Sequence, residues 1–179
     1  VSYLSRWVGV VYKRVFLNYS YIKLYTGVIV DIKDSSLCNR FCGLVIKGIK
    51  IKPSSKEIKN KLISIGLKPI NNVVDITNLV MHELGQPLHA YDLDKIKSGR
   101  IEIKTLKDKT VFKTLDEQEI KLSKNDLVIC DGDIPMCLAG VYGGYKYSVN
   151  NQTKTIFLES AYFNPCLLYT SPSPRDTEV

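Results

Sequence analysis

Hydrophobic positions recur in two rhythms along this chain, and the rhythm changes near residue 100. Before that point, Val- and Ile-rich segments at residues 27–33 and 40–52 alternate in part and predict two strands. A helix is predicted next. Ser54 and Glu57 carry the Ser-x-x-Glu spacing of a capping box, Ile58, Leu62 and Ile65 follow at helical intervals, and Gly66 supplies the stop. A second, shorter helix is predicted from Val74 to Leu84, ended by Gly85 and sealed by Pro87; the loop after it, residues 86–90, carries His89.

From Arg100 onward the period is two. Residues 100–104, 110–113, 119–122, 127–130, 136–139 and 155–159 read as short strands separated by turn residues. Helices early and strands late predict an α+β layered fold rather than alternating βαβ units.

Composition narrows the function classes. With 179 residues, 45% hydrophobic and 24% charged, the chain fits one globular domain and neither a disordered nor a fibrous class. No apolar run approaches the roughly 18 residues of a membrane helix. Five cysteines at irregular spacing do not make a disulfide framework. Neither Cys38 with Cys42 nor Cys130 with Cys137 has the short C-x-x-C spacing of a zinc site, so no metal is expected. There is no phosphate-binding G-x-x-x-x-G-K-[ST] loop. A net charge of +7 and a pI near 9.1 suit a polyanionic partner such as RNA.

The two ends stand apart. No acidic residue precedes Asp31, while Arg6, Lys13, Arg14 and Lys23 accompany Trp7 and several tyrosines. Residues 1–26 therefore read either as a phosphate-contacting arm with stacking aromatics or as a non-native leader. Residues 166–179 contain the turn string Ser171-Pro-Ser-Pro174 and read as a non-native or disordered tail. The domain proper is expected over residues 27–165, in a fragment of a longer protein.

Two blocks carry chemistry. The run from Lys68 to Asp92, KPINNVVDITNLVMHELGQPLHAYD, packs amides, carboxylates and a histidine into an apolar frame. The second block is LAGVYGG at 138–144, followed by TIFLESAYFNP at 155–165. Together they resemble the editing module of bacterial-type phenylalanyl-tRNA synthetase beta subunits, over roughly residues 27–165. That resemblance implies a three-layer β/β/α arrangement with a β-sandwich core, few helices and a cytoplasmic location. It implies a module that hydrolyses Tyr-tRNA(Phe), with tRNA(Phe) as substrate and the alpha subunit as partner in an alpha2-beta2 parent. ATP and Mg²⁺ serve the parent; the module itself needs no cofactor.

The resemblance also assigns residues. Glu159 takes the position of the acceptor for a phenolic hydroxyl, a role suited to a buried carboxylate because an apolar pocket alone rejects an added hydroxyl by only about a hundredfold. On strand position alone Glu159 reads instead as a solvated strand-end carboxylate, and it is the resemblance that reverses this. His89 is placed in the pocket, able to bond the ester, the terminal ribose or a water; its other reading is a structural histidine. Thr77 and Asn78 are implied as substrate contacts, with local helix hydrogen bonding as the alternative for Thr77. Lys68 stands at a position often Arg and could meet phosphate. Gly140 and Gly143 would let backbone amides approach the ester or the terminal adenosine, or simply make a turn. His82 reads as a helix-surface residue. Departures are Leu79 for Tyr, Tyr142 for Met or Phe, Glu117 for a turn Gly, and a missing Thr-x-Ala-Ser stretch after Pro165. The competing class is a non-catalytic tRNA-binding or subunit-assembly module.

Overall fold

The computed structural model describes residues 27–165. The basic, Tyr-rich segment 1–26 and the tail 166–179 lie outside the described residues.

Among the described residues, ten strands and two α-helices occur in the order β1 (Ile29–Ile32), β2 (Cys38–Lys47), α1 (Lys56–Ser64), α2 (Asn72–Leu84), β3 (His89–Asp92), β4 (Arg100–Thr105), β5 (Thr110–Lys113), β6 (Glu119–Leu122), β7 (Leu127–Asp131), β8 (Ile134–Leu138), β9 (Tyr142–Gly143) and β10 (Thr155–Phe163). A five-stranded sheet runs β1-β4-β7-β8-β9, with β1 parallel to β4 and the other pairs antiparallel. A three-stranded antiparallel sheet runs β2-β10-β3, and β5-β6 form a separate hairpin. This is the expected α+β fold with few helices.

Alternating side chains explain the layering. Ile101 and Ile103 on β4 and Leu127 and Ile129 on β7 are fully buried, or nearly so, in one core cluster with Tyr91 and Phe157 of the three-stranded sheet. The two sheets thus face each other across a common core. Val128 and Cys130, the alternate residues of β7, join Phe112 and Leu122 of the β5-β6 hairpin in a second cluster. All five residues of β7 are buried because both its faces are covered.

The helices pair with one another and attach beside the three-stranded sheet. Asn71 caps α2 by accepting from the amides of Val73 and Val74, and Gly85 ends it at φ 70°. The Asn72 amide group donates to the Lys50 carbonyl and its oxygen accepts from the Lys52 amide, fastening α2 to the segment after β2.

Several sequence-based boundaries shift. The residue that caps α1 is Ser55, whose Oγ accepts from the Ile58 amide. Ser54 is instead buried and donates to Asp75 Oδ2 at 2.5 Å, so the Ser54–Glu57 capping box does not form. The second helix starts at Asn72 rather than Val74. The segment expected as a strand over 40–52 ends at Lys47, where Gly48 turns the backbone to φ 72°. His89 is the first residue of β3 rather than part of a loop, and β10 continues past Glu159 to Phe163.

Candidate functional site

A pocket of about 370 Å³ opens between the end of α2, the β8-β9 turn and β10. That volume falls in the usual range for small-ligand sites. Its lining comes from residues 85–89, 137, 140–143, 159, 161–163 and 165. Four of the expected site residues, His89, Glu159, Gly140 and Gly143, converge on it.

Register explains the convergence. His89 on β3 pairs directly with Glu159 on β10, so both side chains stand on the same sheet face. Gln86 bridges from its amide nitrogen to the Ala161 carbonyl at 3.3 Å, holding the approach to β3 against β10. Gly143 gives His89 its space: a Cβ there would lie 2.8 Å from the His89 Cε1 and 2.8 Å from the Leu115 Cδ1. Gly140 turns the chain at φ 71° between β8 and β9.

Glu159 is only 6% exposed and still lines the cavity. Burial pushes its carboxyl up to about 7, and the hydrogen bond from Tyr91 partly opposes that rise. The Tyr91 hydroxyl donates to Glu159 Oε2 at 2.6 Å. Burial also holds the His89 imidazole down at about 4, so it is neutral at physiological pH. Its ring meets the Tyr91 ring edge-on at 4.5 Å. The thiol of Cys137, beside them, is pushed up by burial and then by Glu159.

Lys68, Thr77 and Asn78 are not among the lining residues. Thr77 spends its hydroxyl on the Val74 carbonyl at 2.8 Å, the local helical bond that was the alternative reading. Asn78 is half-buried on α2, Lys68 is exposed between the helices, and His82 is exposed as expected. Burial pushes Cys38 up to about 11 and Cys130 up to about 12, which suits inert core thiols rather than metal ligands. Among the described residues no group of His, Cys, Asp or Glu is arranged to hold a metal, and no helix is long and apolar enough to cross a membrane.

Tyr91 was missed in the sequence. The available signal was its position two residues after His89 in a strand, which places both on one face.

The model of the B3/4 domain family matches residues 37–172. The chain belongs to the B3/4 domain family. This B3/4 domain is 52% identical over 141 residues to the phenylalanine-tRNA ligase beta subunit of Porphyromonas gingivalis, a match covering 78% of this chain and 17% of that protein. The same subunit from Bacteroides fragilis is 48% identical over 136 residues, covering 76% of this chain and 17% of its own length. The chain thus spans about a sixth of these curated relatives. Among solved structures, an N-terminal fragment of the phenylalanyl-tRNA synthetase beta subunit from Pyrococcus horikoshii has a TM-score of 0.56 at 12% identity, covering 78% of this chain and 44% of that one. At that identity the likeness concerns the fold.

Proposed function

We propose that this B3/4 domain is an editing module that hydrolyses the ester of Tyr-tRNA(Phe), working within a phenylalanine-tRNA ligase beta subunit in the cytoplasm. The observation that carries the reading is Glu159, a buried carboxyl lining a small-ligand-sized pocket and already accepting a hydrogen bond from a phenol, that of Tyr91. A carboxyl has acceptor capacity for more than one donor, so a substrate phenol can take the remaining oxygen. Phenylalanine brings no donor and leaves a desolvated acceptor without a partner.

In this reading the aminoacyl side chain enters toward Glu159 and the ester lies near His89 and the 140–143 turn. Water adds to the ester carbonyl carbon, the bond from that carbon to the ribose oxygen breaks, and the proton lost by water ends on the ribose oxygen. Tyrosine and uncharged tRNA leave. His89, neutral at working pH, donates or accepts a hydrogen bond at the ester or water rather than acting as a cation. Backbone amides around Gly140 and Gly143 are the candidates for facing the developing oxyanion. Lys68 is kept as a phosphate contact outside the pocket, and Thr77 and Asn78 as contacts away from the amino acid. The reading gives this chain no cofactor and assigns ATP and Mg²⁺ to the parent's synthetic site. Relatives named as beta subunits support an alpha-subunit partner for the parent.

The alternative, a tRNA-binding or assembly module without catalysis, draws on the open cleft formed by residues 49–51 and 151–154, where Lys50 and Lys154 are exposed. One experiment separates the two. Incubation of the chain with Tyr-tRNA(Phe) or Phe-tRNA(Phe), labelled on the amino acid, should release tyrosine selectively, and release should be lost in His89→Ala and Glu159→Ala while tRNA binding survives. Binding without hydrolysis above blank would support the alternative.

A further inference from the structure

Beneath the pocket lies a residue that no ligand can reach and that nevertheless holds the group a ligand would meet. Tyr91 is fully buried, does not line the cavity, and places its hydroxyl 2.6 Å from Glu159 Oε2. Its ring is fixed from two sides. The His89 imidazole abuts it edge-on at 4.5 Å, and the Phe157 ring lies against it with centroids 6.3 Å apart. Phe157 is fixed in turn: Gly43, which pairs with Glu159 across β2 and β10, leaves the ring its space, since a Cβ there would fall 2.2 Å from the ring. The phenol is therefore held in place, donating to Glu159 with the Cys137 thiol beside it.

We propose that Tyr91 is a positioning residue, its hydroxyl taking one oxygen of Glu159 and committing the other to a hydroxyl carried by the bound amino acid. This rests on the editing reading above and names what sets selectivity within it. The terminal torsion of a glutamate is broad and roughly two-fold, so an unheld carboxyl turns freely. Held by Tyr91, it presents a fixed acceptor edge to the cavity. A fixed, desolvated acceptor penalises a ligand without a donor, whereas a freely turning one relaxes toward its own surroundings. The titratable groups near Glu159 are Tyr91 and His89 from β3, Cys137 from β8 and Cys38 from β2, and of these Tyr91 alone shifts the carboxyl. Only Tyr91 among them donates a hydrogen bond to the carboxyl.

The test compares wild type, Tyr91→Phe, Glu159→Gln and the double variant of the full chain, with two readouts. The first is the ratio of kcat/KM for Tyr-tRNA(Phe) over Phe-tRNA(Phe). The second is the titration midpoint of Glu159 followed by carboxyl ¹³C NMR without ligand. Tyr91→Phe should lower the ratio about tenfold, the scale of one buried hydrogen bond to an ionisable group, and raise the Glu159 midpoint. In the Glu159→Gln background the same change should lower the ratio much less. An unchanged ratio with an unmoved midpoint would overturn the proposal and leave the editing reading intact. Equal losses on both substrates, or the same tenfold effect in the Glu159→Gln background, would overturn it too, marking Tyr91 as a packing residue. If wild type hydrolyses neither ester, the editing reading itself falls, whatever the midpoint does.

Discussion

His89 and Glu159 face each other across β3 and β10 with ionisation preferences that pull in opposite directions. Glu159 is raised from 4.5 to about 7, so the folded chain holds a proton that the unfolded chain releases. Its stabilising contribution is complete below pH 4.5 and is lost as pH rises to about 7. His89 is lowered from 6.5 to about 4, so the folded chain refuses a proton that the unfolded chain takes up. That contribution is complete above 6.5 and is lost as pH falls to about 4.

The two slopes overlap between pH 4.5 and 6.5, and their contributions there cancel. Urea unfolding across this window should give nearly constant stability for the wild type. Glu159→Gln should leave the histidine slope alone, with stability falling on acidification. His89→Gln should leave the opposite slope, with stability falling by about 3 kcal/mol as pH rises from 4.5 to about 7. Parallel profiles for all three proteins would refute the opposition.

Gly143 is where a single methyl group would disturb the pocket most directly. In Gly143→Ala the new Cβ presses on the His89 ring and on Leu115, each 2.8 Å away. Leu115 is exposed and can yield, whereas His89 is trapped against Tyr91. Hydrolysis of Tyr-tRNA(Phe) should fall by about a hundredfold, the usual result of a misplacement near 1 Å. Stability should fall by only about 1 kcal/mol in chemical denaturation. A large loss of stability with activity retained in the folded fraction would contradict this account.

Glu117 occupies the turn of the β5-β6 hairpin at φ 65°, a conformation that costs a side-chain-bearing residue about 1–2 kcal/mol. Its compensation is an exposed ion pair with Lys113 at 3.0 Å, worth roughly 0.5 kcal/mol at most. Glu117→Gly should therefore stabilise the domain by about 1 kcal/mol and raise Tm by roughly 2–4 °C in a thermal scan. Unchanged or lowered Tm would show that the ion pair outweighs the backbone strain.

The glycine expected in that turn came from the family resemblance, and the left-handed φ of 65° at Glu117 is the conformation a glycine there would suit. The strands were legible in the residues themselves: β4 alternates Ile101 and Ile103 inward, and period two survives in the sequence. The site was legible only in part. His89 and Glu159 come from segments about 70 residues apart, and only the antiparallel register of β3 with β10 sets them opposite each other. Tyr91, between two motif residues, looks like core until its hydroxyl is seen on Glu159. The Ser54 error has a tertiary cause. Asp75 is fully buried and accepts from both the Ser54 hydroxyl and the Ile70 amide, and satisfying that carboxylate overrides the local capping spacing. Much of the KPINNVVD stretch is spent in the same way, on caps and inter-segment bonds rather than on ligand contacts.

Strand β10 lies between β2 and β3, with both backbone edges paired at Glu159. The carboxyl at the pocket floor is thus mounted on a segment expected to open only when the whole domain does, among the slowest to exchange amide hydrogens. A breathing loop can let a site adapt to the wrong side chain; this one has no such freedom at its floor. Discrimination here is a property of the folded chain's average geometry, and altering it requires a different residue rather than a different motion.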